Sequence, residues 1–235
     1  MAGCRVDGPE PIVGPMGERW ATFDCYGTLV DWEGGIRDAV AELWPQADPQ
    51  RLLEHYHAVE PRIQDDRDLP YREVTTRALA AIAAIDALEV PPGREAAIAQ
   101  SLPSWRPFPE VPETLRQARE RGWKLAALSN TDPDLLASSI EALEVPFDLT
   151  ITAAEAGSYK PAPGHWEAFS AAAGEIDSHV HVAASLFHDI EPCARMGLEA
   201  IWINRLAETS DLPRAVELPD LRGLADALER ASSGT

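Results

Sequence analysis

Apolar positions along this chain follow two different periods. Trp20-Ala-Thr-Phe-Asp24 is a short apolar run that ends on an acid, and Gly27-Thr28 turns the chain directly behind it. Such a run, bounded by turn residues, is the pattern of a strand buried on both faces. The period then changes. Four amphipathic segments, about 33–44, 48–66, 70–89 and 92–102, follow one another with no strand between them. In the third, Val74, Ala78, Leu79, Ile82, Ile85 and Leu88 recur at helical spacing. Pro45, Pro49, Pro70 and Pro91-Pro92-Gly93 mark the helix starts and turns, and Arg106-Pro107-Phe108-Pro109 makes a stiff exit. The pattern predicts a helical unit over 33–106, inserted after the first strand.

From about residue 110 strands and helices alternate. A helix at 110–121 leads to a strand at 123–128, and Asp132-Pro133 opens a helix that ends near 143. A strand at 147–152, a helix from Lys160-Pro161 to about 173, and a strand at 180–184 come next. A helix at 189–196, a strand at 200–203 and a last helix at about 220–231 complete the order. Five strands with helices between them predict an α/β protein with a doubly wound parallel sheet. Its core comprises 17–32 and 107–235. Residues 1–16, broken by Pro and Gly and lacking an apolar run, are expected to be a flexible segment rather than a targeting signal.

Charge narrows the list of partners. The chain carries 39 acids against 20 bases, a formal charge of −19, which argues against nucleic acid and membrane surfaces. An anionic substrate has to be met by local positive charge. Lysine occurs only at Lys124 and Lys160. Cys4, Cys25 and Cys193 have no metal-type spacing, so reduced thiols in the cytoplasm are the simplest reading.

Asp24, at the carboxyl end of a strand, stands where α/β sheets bind ligands. The order Asp24-Cys25-Tyr26-Gly27-Thr28 resembles the first motif of the haloacid dehalogenase superfamily. It is most similar to the type II 2-haloacid dehalogenases, where Tyr replaces the second Asp of the phosphatases. Ser129-Asn130 matches the second motif and Lys160 in Tyr159-Lys160-Pro161 the third. The fourth is Ala183-Ala184-Ser185-Leu186-Phe187-His188-Asp189. Together these span about 18–206, and the resemblance implies a Rossmann-like core with an inserted helical cap, as the periodicity does.

It also implies roles. Asp24 becomes a nucleophile that forms an ester, and Thr28 orients it. Ser129 and Asn130 form a small anion pocket, Lys160 offsets negative charge, and Asp189 holds the attacking water. Two acids that phosphatases use are replaced by Tyr26 and Ala184. A halide leaves without a proton, and a 2-haloacid is only singly charged, so neither magnesium nor a second acid is required. The expected reaction is metal-independent and cofactor-free, converting a short 2-haloacid to halide and a 2-hydroxy acid, in a protein that the resemblance implies is a homodimer. The family's cap arginine has no direct equivalent: His57 stands near its place, with Arg51, Arg62 and Arg72 in neighbouring turns. Trp166 and His188 replace two family aromatics, each able to donate a hydrogen bond, although Trp166 equally suits the core. Cys25, Tyr26, Asn130, Trp166, Ser185, His188 and His57 make up the expected substrate contacts. The alternatives are a hydrolase acting on another small electrophilic carbon, a magnesium-dependent phosphatase, or a non-catalytic binding protein.

Overall fold

The computed structural model describes residues 17–64 and 69–233. The N-terminal segment 1–16 lies outside the described residues. β1 (Glu18–Phe23) leads into the inserted helices α1 (Trp32–Leu43), α2 (Pro49–Gln64), α3 (Tyr71–Ile85) and α4 (Ala97–Ser101). Next come α5 (Val111–Glu120), β2 (Trp123–Ser129), α6 (Pro133–Ala142), β3 (Leu149–Thr152), the single turn α7 (Ala153–Ala156) and α8 (Gly164–Ala173). β4 (Ile176–Ala183), α9 (Glu191–Met196), β5 (Glu199–Ile203), β6 (Val216–Leu218) and α10 (Leu224–Ser232) complete the chain.

All strand pairs are parallel, in the order β3-β2-β1-β4-β5-β6. The chain winds outward from β1 to β3, then returns to the other side of β1 for β4. The direction therefore reverses at β1, and a crevice opens beyond its carboxyl end. Asp24 is the next residue.

Burial explains why the strands read as continuous apolar runs. Ala21, Phe23, Leu125, Ala127, Val180, Val182, Ile201 and Ile203 enter one apolar cluster with α5, α10 and the inserted helices. Their neighbours Trp20, Ala126, Leu128, Ala183, Ala200 and Trp202 enter a second cluster with α8 and α9. Successive side chains point to opposite faces, and helices cover both faces. Ile36 and Val40 of α1, Tyr56 of α2 and Val74 of α3 belong to the same cluster as Phe23 and Leu29, so apolar packing runs unbroken from the sheet into the insertion.

Several details depart from the pattern. The sheet has a sixth strand, β6, whose three partly exposed residues lack an apolar run. β4 starts at Ile176 rather than 180, because its first half alternates with polar residues. α3 stops at Ile85: Ala87 takes φ 52°, and the Leu88 N–H returns to the Ala83 carbonyl, a wrap that ends a helix. α4 is a short piece followed by a 3-10 turn, Leu102–Ser104. Ahead of α9, Leu186–Ile190 forms a wide π-type turn. Asp132 sits at the start of α6 as expected, yet its carboxylate does not cap that helix. It accepts the N–H groups of Tyr71 (2.9 Å) and Arg72 (3.0 Å), tying the start of α3 to the core.

Gly35 shows how closely the insertion is held. A Cβ there would lie 2.4 Å from the indole of Trp105, which is itself buried. Gly35→Ala is therefore expected to lower stability by about 1–3 kcal/mol through overpacking, despite alanine's better helix propensity. Urea unfolding measures the shift; an unchanged midpoint would show that Trp105 can move aside.

Candidate active site

The site begins where β1 ends. The Asp24 N–H donates to Val182 O of β4 (3.1 Å), which carries the strand one residue further and projects the carboxylate into the crevice. Thr28 Oγ1 donates to Asp24 Oδ2 (2.8 Å) and accepts the Ala184 N–H (2.9 Å). With one proton given and one taken, the hydroxyl cannot swing away. Gly27, between them, has φ 89°, and a Cβ there would press on the Trp32 indole.

Lys160 is 2 % exposed. Its ammonium donates to Asp24 Oδ1 (2.9 Å) and Asp189 Oδ1 (2.6 Å). Burial alone would lower its pKa, but Asp189 and Asp24 outweigh that and hold it above its ordinary value. Burial would raise Asp189, yet the Lys160 charge and a hydrogen bond from His181 hold its carboxyl well below the usual range. The Lys160 backbone is gripped from β2: its N–H donates to Asn130 Oδ1 (2.6 Å), and Asn130 Nδ2 donates to its carbonyl (3.0 Å).

These groups open on a cavity of about 660 Å³. Asp24, Tyr26, Ser129, Asn130, Lys160, Ser185, His188 and Asp189 line it from the sheet side, and His57 of α2 faces them. Ser129 Oγ and Asp189 Oδ2 are buried and have no partner among the described residues. A hydroxyl that can donate and a carboxylate oxygen that can accept, on the wall of one cavity, are suited to a substrate oxygen and a water. Ser185 Oγ accepts the His188 N–H (3.0 Å) and lies 3.2 Å from His188 Nδ1, so it shapes the π-type turn. Burial lowers the pKa of His188 and favours its neutral ring.

Residues 19–197 match the haloacid dehalogenase-like hydrolases. The chain belongs to that family. Haloacetate dehalogenase H-2 of Moraxella sp. (strain B) is 28 % identical over 192 residues, covering 78 % of this chain and 84 % of that protein. The (S)-2-haloacid dehalogenase of Pseudomonas sp. (strain YL) is 26 % identical over 229 residues, covering 89 % and 94 %. Among solved structures, the L-2-haloacid dehalogenase RSc1362 superposes with a TM-score of 0.78 at 26 % identity, covering 91 % of this chain and 99 % of its own.

Within this haloacid dehalogenase-like hydrolase, some expected contacts fall elsewhere. The Cys25 side chain is fully buried in the core, with its thiol pKa pushed up by burial, and is not on the cavity wall. Trp166 packs edge-on against His181 in the second apolar cluster, 5.4 Å between ring centroids, and is also absent from the wall. Its helix turns the indole toward the sheet. Arg51 pairs with Asp86 and Arg72 with Asp134, both away from the cavity, while Arg62 lines a neighbouring groove. Among the described residues, the arginines on the wall are Arg37 and Arg205. Arg37 lies 3.7 Å from Glu33, and Arg205 is held by Glu110 and the Thr28 carbonyl, both at 2.8 Å. His57 is 3.3 Å from Glu33 and stacks near Trp32.

Sequence reasoning passed over Glu60, Arg37, Arg205, Thr22, His179 and His181. Glu60 of α2 is a buried carboxyl on the cavity wall, which burial raises from 4.5 to about 7 against its bonds from Gln64 and Tyr71. Its signal was a charge on the apolar face of an amphipathic helix. The donors present do not fit a magnesium ion. Tyr26 is bonded to Ser139 Oγ (2.9 Å), Ala184 offers no side-chain oxygen, and a lysine ammonium already lies between Asp24 and Asp189. Among the described residues no group of three or more His, Cys, Asp or Glu is placed to hold a metal, and no helix is long and apolar enough to cross a membrane.

Proposed function

We propose that this hydrolase cleaves the carbon–halogen bond of a short 2-haloacid through an ester on Asp24. The observation that carries the reading is the buried Lys160 ammonium bridging Asp24 and Asp189, in a site where Tyr26 and Ala184 add no further carboxylate. Asp24 attacks C2; a carbon–oxygen bond forms as the carbon–halogen bond breaks, and halide leaves with the electron pair. Water held at Asp189 Oδ2 then attacks the ester carbonyl and gives a proton to that carboxylate. The acyl–oxygen bond breaks, the 2-hydroxy acid departs protonated, and one proton per turnover passes to solvent. Lys160 and Ser129 Oγ face the oxyanion of the tetrahedral intermediate. The related dehalogenases support this substrate class.

With this reading go a helical cap over 33–106 on a core of 17–32 and 107–235, a cytoplasmic location, and a homodimer. Chloro-, bromo- and fluoroacetate and 2-chloropropionate are the test panel. Halide release is expected with EDTA present as well as absent, and no release from any of them overturns the reading. Glu60 favours a second reading, because a carboxyl with a pKa of about 7 on the cavity wall can protonate a leaving oxygen. Opening of a small epoxy acid without halide release would select it.

A further inference from the structure

A hydrogen-bonded line runs beneath the site, inside the sheet face covered by α8 and α9. His181 Nε2 lies 3.0 Å from Asp189 Oδ1, His181 Nδ1 lies 2.9 Å from Thr22 Oγ1, and Thr22 Oγ1 lies 2.8 Å from His179 Nε2. Thr22, His181 and Asp189 are fully buried, and His179 is partly so. β4 places the two histidines on one face by its period of two, and the parallel pairing sets Thr22 of β1 directly across from His181.

With His181 taken as a neutral ring, the chemistry of the atoms gives each bond a direction. An ionised Asp189 only accepts, so His181 Nε2 carries a proton and donates it. In a neutral ring Nδ1 is then bare and accepts from the Thr22 hydroxyl. The Thr22 oxygen in turn accepts from His179 Nε2–H. Burial is the largest cause that brings His179 down to about 4, which keeps its ring neutral. The tautomer of His181 is thus set by Asp189, and Thr22 accommodates it by donating to the bare Nδ1. Apolar residues would fill this sheet face without the cost of burying polar groups, as Val180 and Val182 do on the other side.

We infer that His181, held by Thr22 and His179, is a positioning residue for the second half of the reaction, directing Asp189 so that Oδ2 takes the proton of the attacking water. Lys160 and His181 both donate to Oδ1, and Oδ2 is left without a partner among the described residues. The carboxylate plane is pinned by two donors on one oxygen, and the other oxygen is the one free to act as base. The remaining groups close by are Asp24 at the end of β1, His188 in the π-type turn, Cys193 of α9 and His165 of α8. His165 Nε2 is 3.1 Å from the Ser129 carbonyl, so that ring is committed elsewhere. This inference rests on the ester mechanism proposed above.

The test separates the two half-reactions in His181→Leu, Thr22→Val and Thr22→Ser. Halide formed in the first turnover reports attack by Asp24, and the mass of the quenched protein reports ester on that residue. His181→Leu and Thr22→Val are expected to keep the first-turnover halide, accumulate ester, and hydrolyse it about tenfold more slowly or worse, the scale of one hydrogen bond to a charged group. Thr22→Ser keeps the hydroxyl and restores turnover. In His181→Leu the acid limb of ester hydrolysis moves to higher pH, because Asp189 loses a bond that holds its carboxyl down. Wild-type ester hydrolysis in His181→Leu, or equal loss of both half-reactions in all three folded variants, overturns the inference. Absence of halide from wild type would instead overturn the ester mechanism itself.

Discussion

Asp24→Asn is expected to remove halide release altogether, lowering turnover by about four orders of magnitude or more, the scale seen when a covalent nucleophile is lost. The amide has no negative charge to place on carbon. Its carbonyl oxygen can still meet the Lys160 ammonium, and Thr28 Oγ1 remains within reach of the amide group, so the fold is expected to persist. The measurement is twofold. Halide release is followed by ion chromatography, and intact mass after rapid quenching shows a substrate-sized adduct on wild type and none on the variant. An adduct on Asp24→Asn, or residual turnover above a hundredth of wild type, would move the nucleophile elsewhere.

Lys160→Met is expected to act on stability as well as activity. It leaves Asp24 and Asp189 buried without their shared cation, and removing one partner of a buried ion pair typically costs about 3–5 kcal/mol. The wild-type pH dependence follows from the shift directions. The folded Lys160 lies above its ordinary 10.5, so its contribution is whole below pH 10.5 and is lost as pH rises through the folded value. The folded Asp189 lies below its ordinary 3.8, so its contribution is whole above pH 3.8 and is lost as pH falls through the folded value. The site thus favours a stability plateau between these limits. In Lys160→Met the acid-side loss from Asp189 shrinks and, once burial without the ammonium lifts its folded value above 3.8, reverses into a loss as pH rises, while the alkaline loss from Lys160 disappears. Urea unfolding across pH tests both; a variant as stable as wild type, with the same pH profile, would mean that the pair contributes nothing.

Much of the framework was readable because its causes are local. A strand buried on both faces has to be apolar throughout, and a strand end that meets ligand has to switch at once to polar and turning residues. That rule locates Asp24 and Thr28 at β1, Ser129 and Asn130 at β2, and Asp189 beyond β4. The scarcity of lysine drew attention to Lys160, and the structure brings its ammonium within hydrogen-bond distance of two carboxylates more than twenty residues away in either direction. The short edge strand β6 escaped notice because an exposed edge needs no apolar run.

Side-chain direction was not readable in the same way. Trp166 suited both the core and the cavity, and only the packing of α8 on β4 turned it inward against His181. Arg51 and Arg72 belong to the right helices, but helix rotation and the acids Asp86 and Asp134 carry them away, whereas Glu60 is carried inward. Asp132 looked like the cap of the helix it precedes and instead serves the N-terminus of α3, some sixty residues earlier in the chain.

The sequence by itself therefore determined the order of the five apolar strands and their helices, the parallel α/β class and the residues at the strand ends, because hydrophobic period and turn chemistry act over a few residues. Only the tertiary structure decided which side chains meet. The placing of β4 beside β1 aligned Thr22, His179 and His181 beneath Asp189, and the docking of α2 put His57 and Glu60 on the wall of the cavity that Asp24 lines. Those contacts depend on strand order and helix rotation, which are set by packing between residues far apart in the chain.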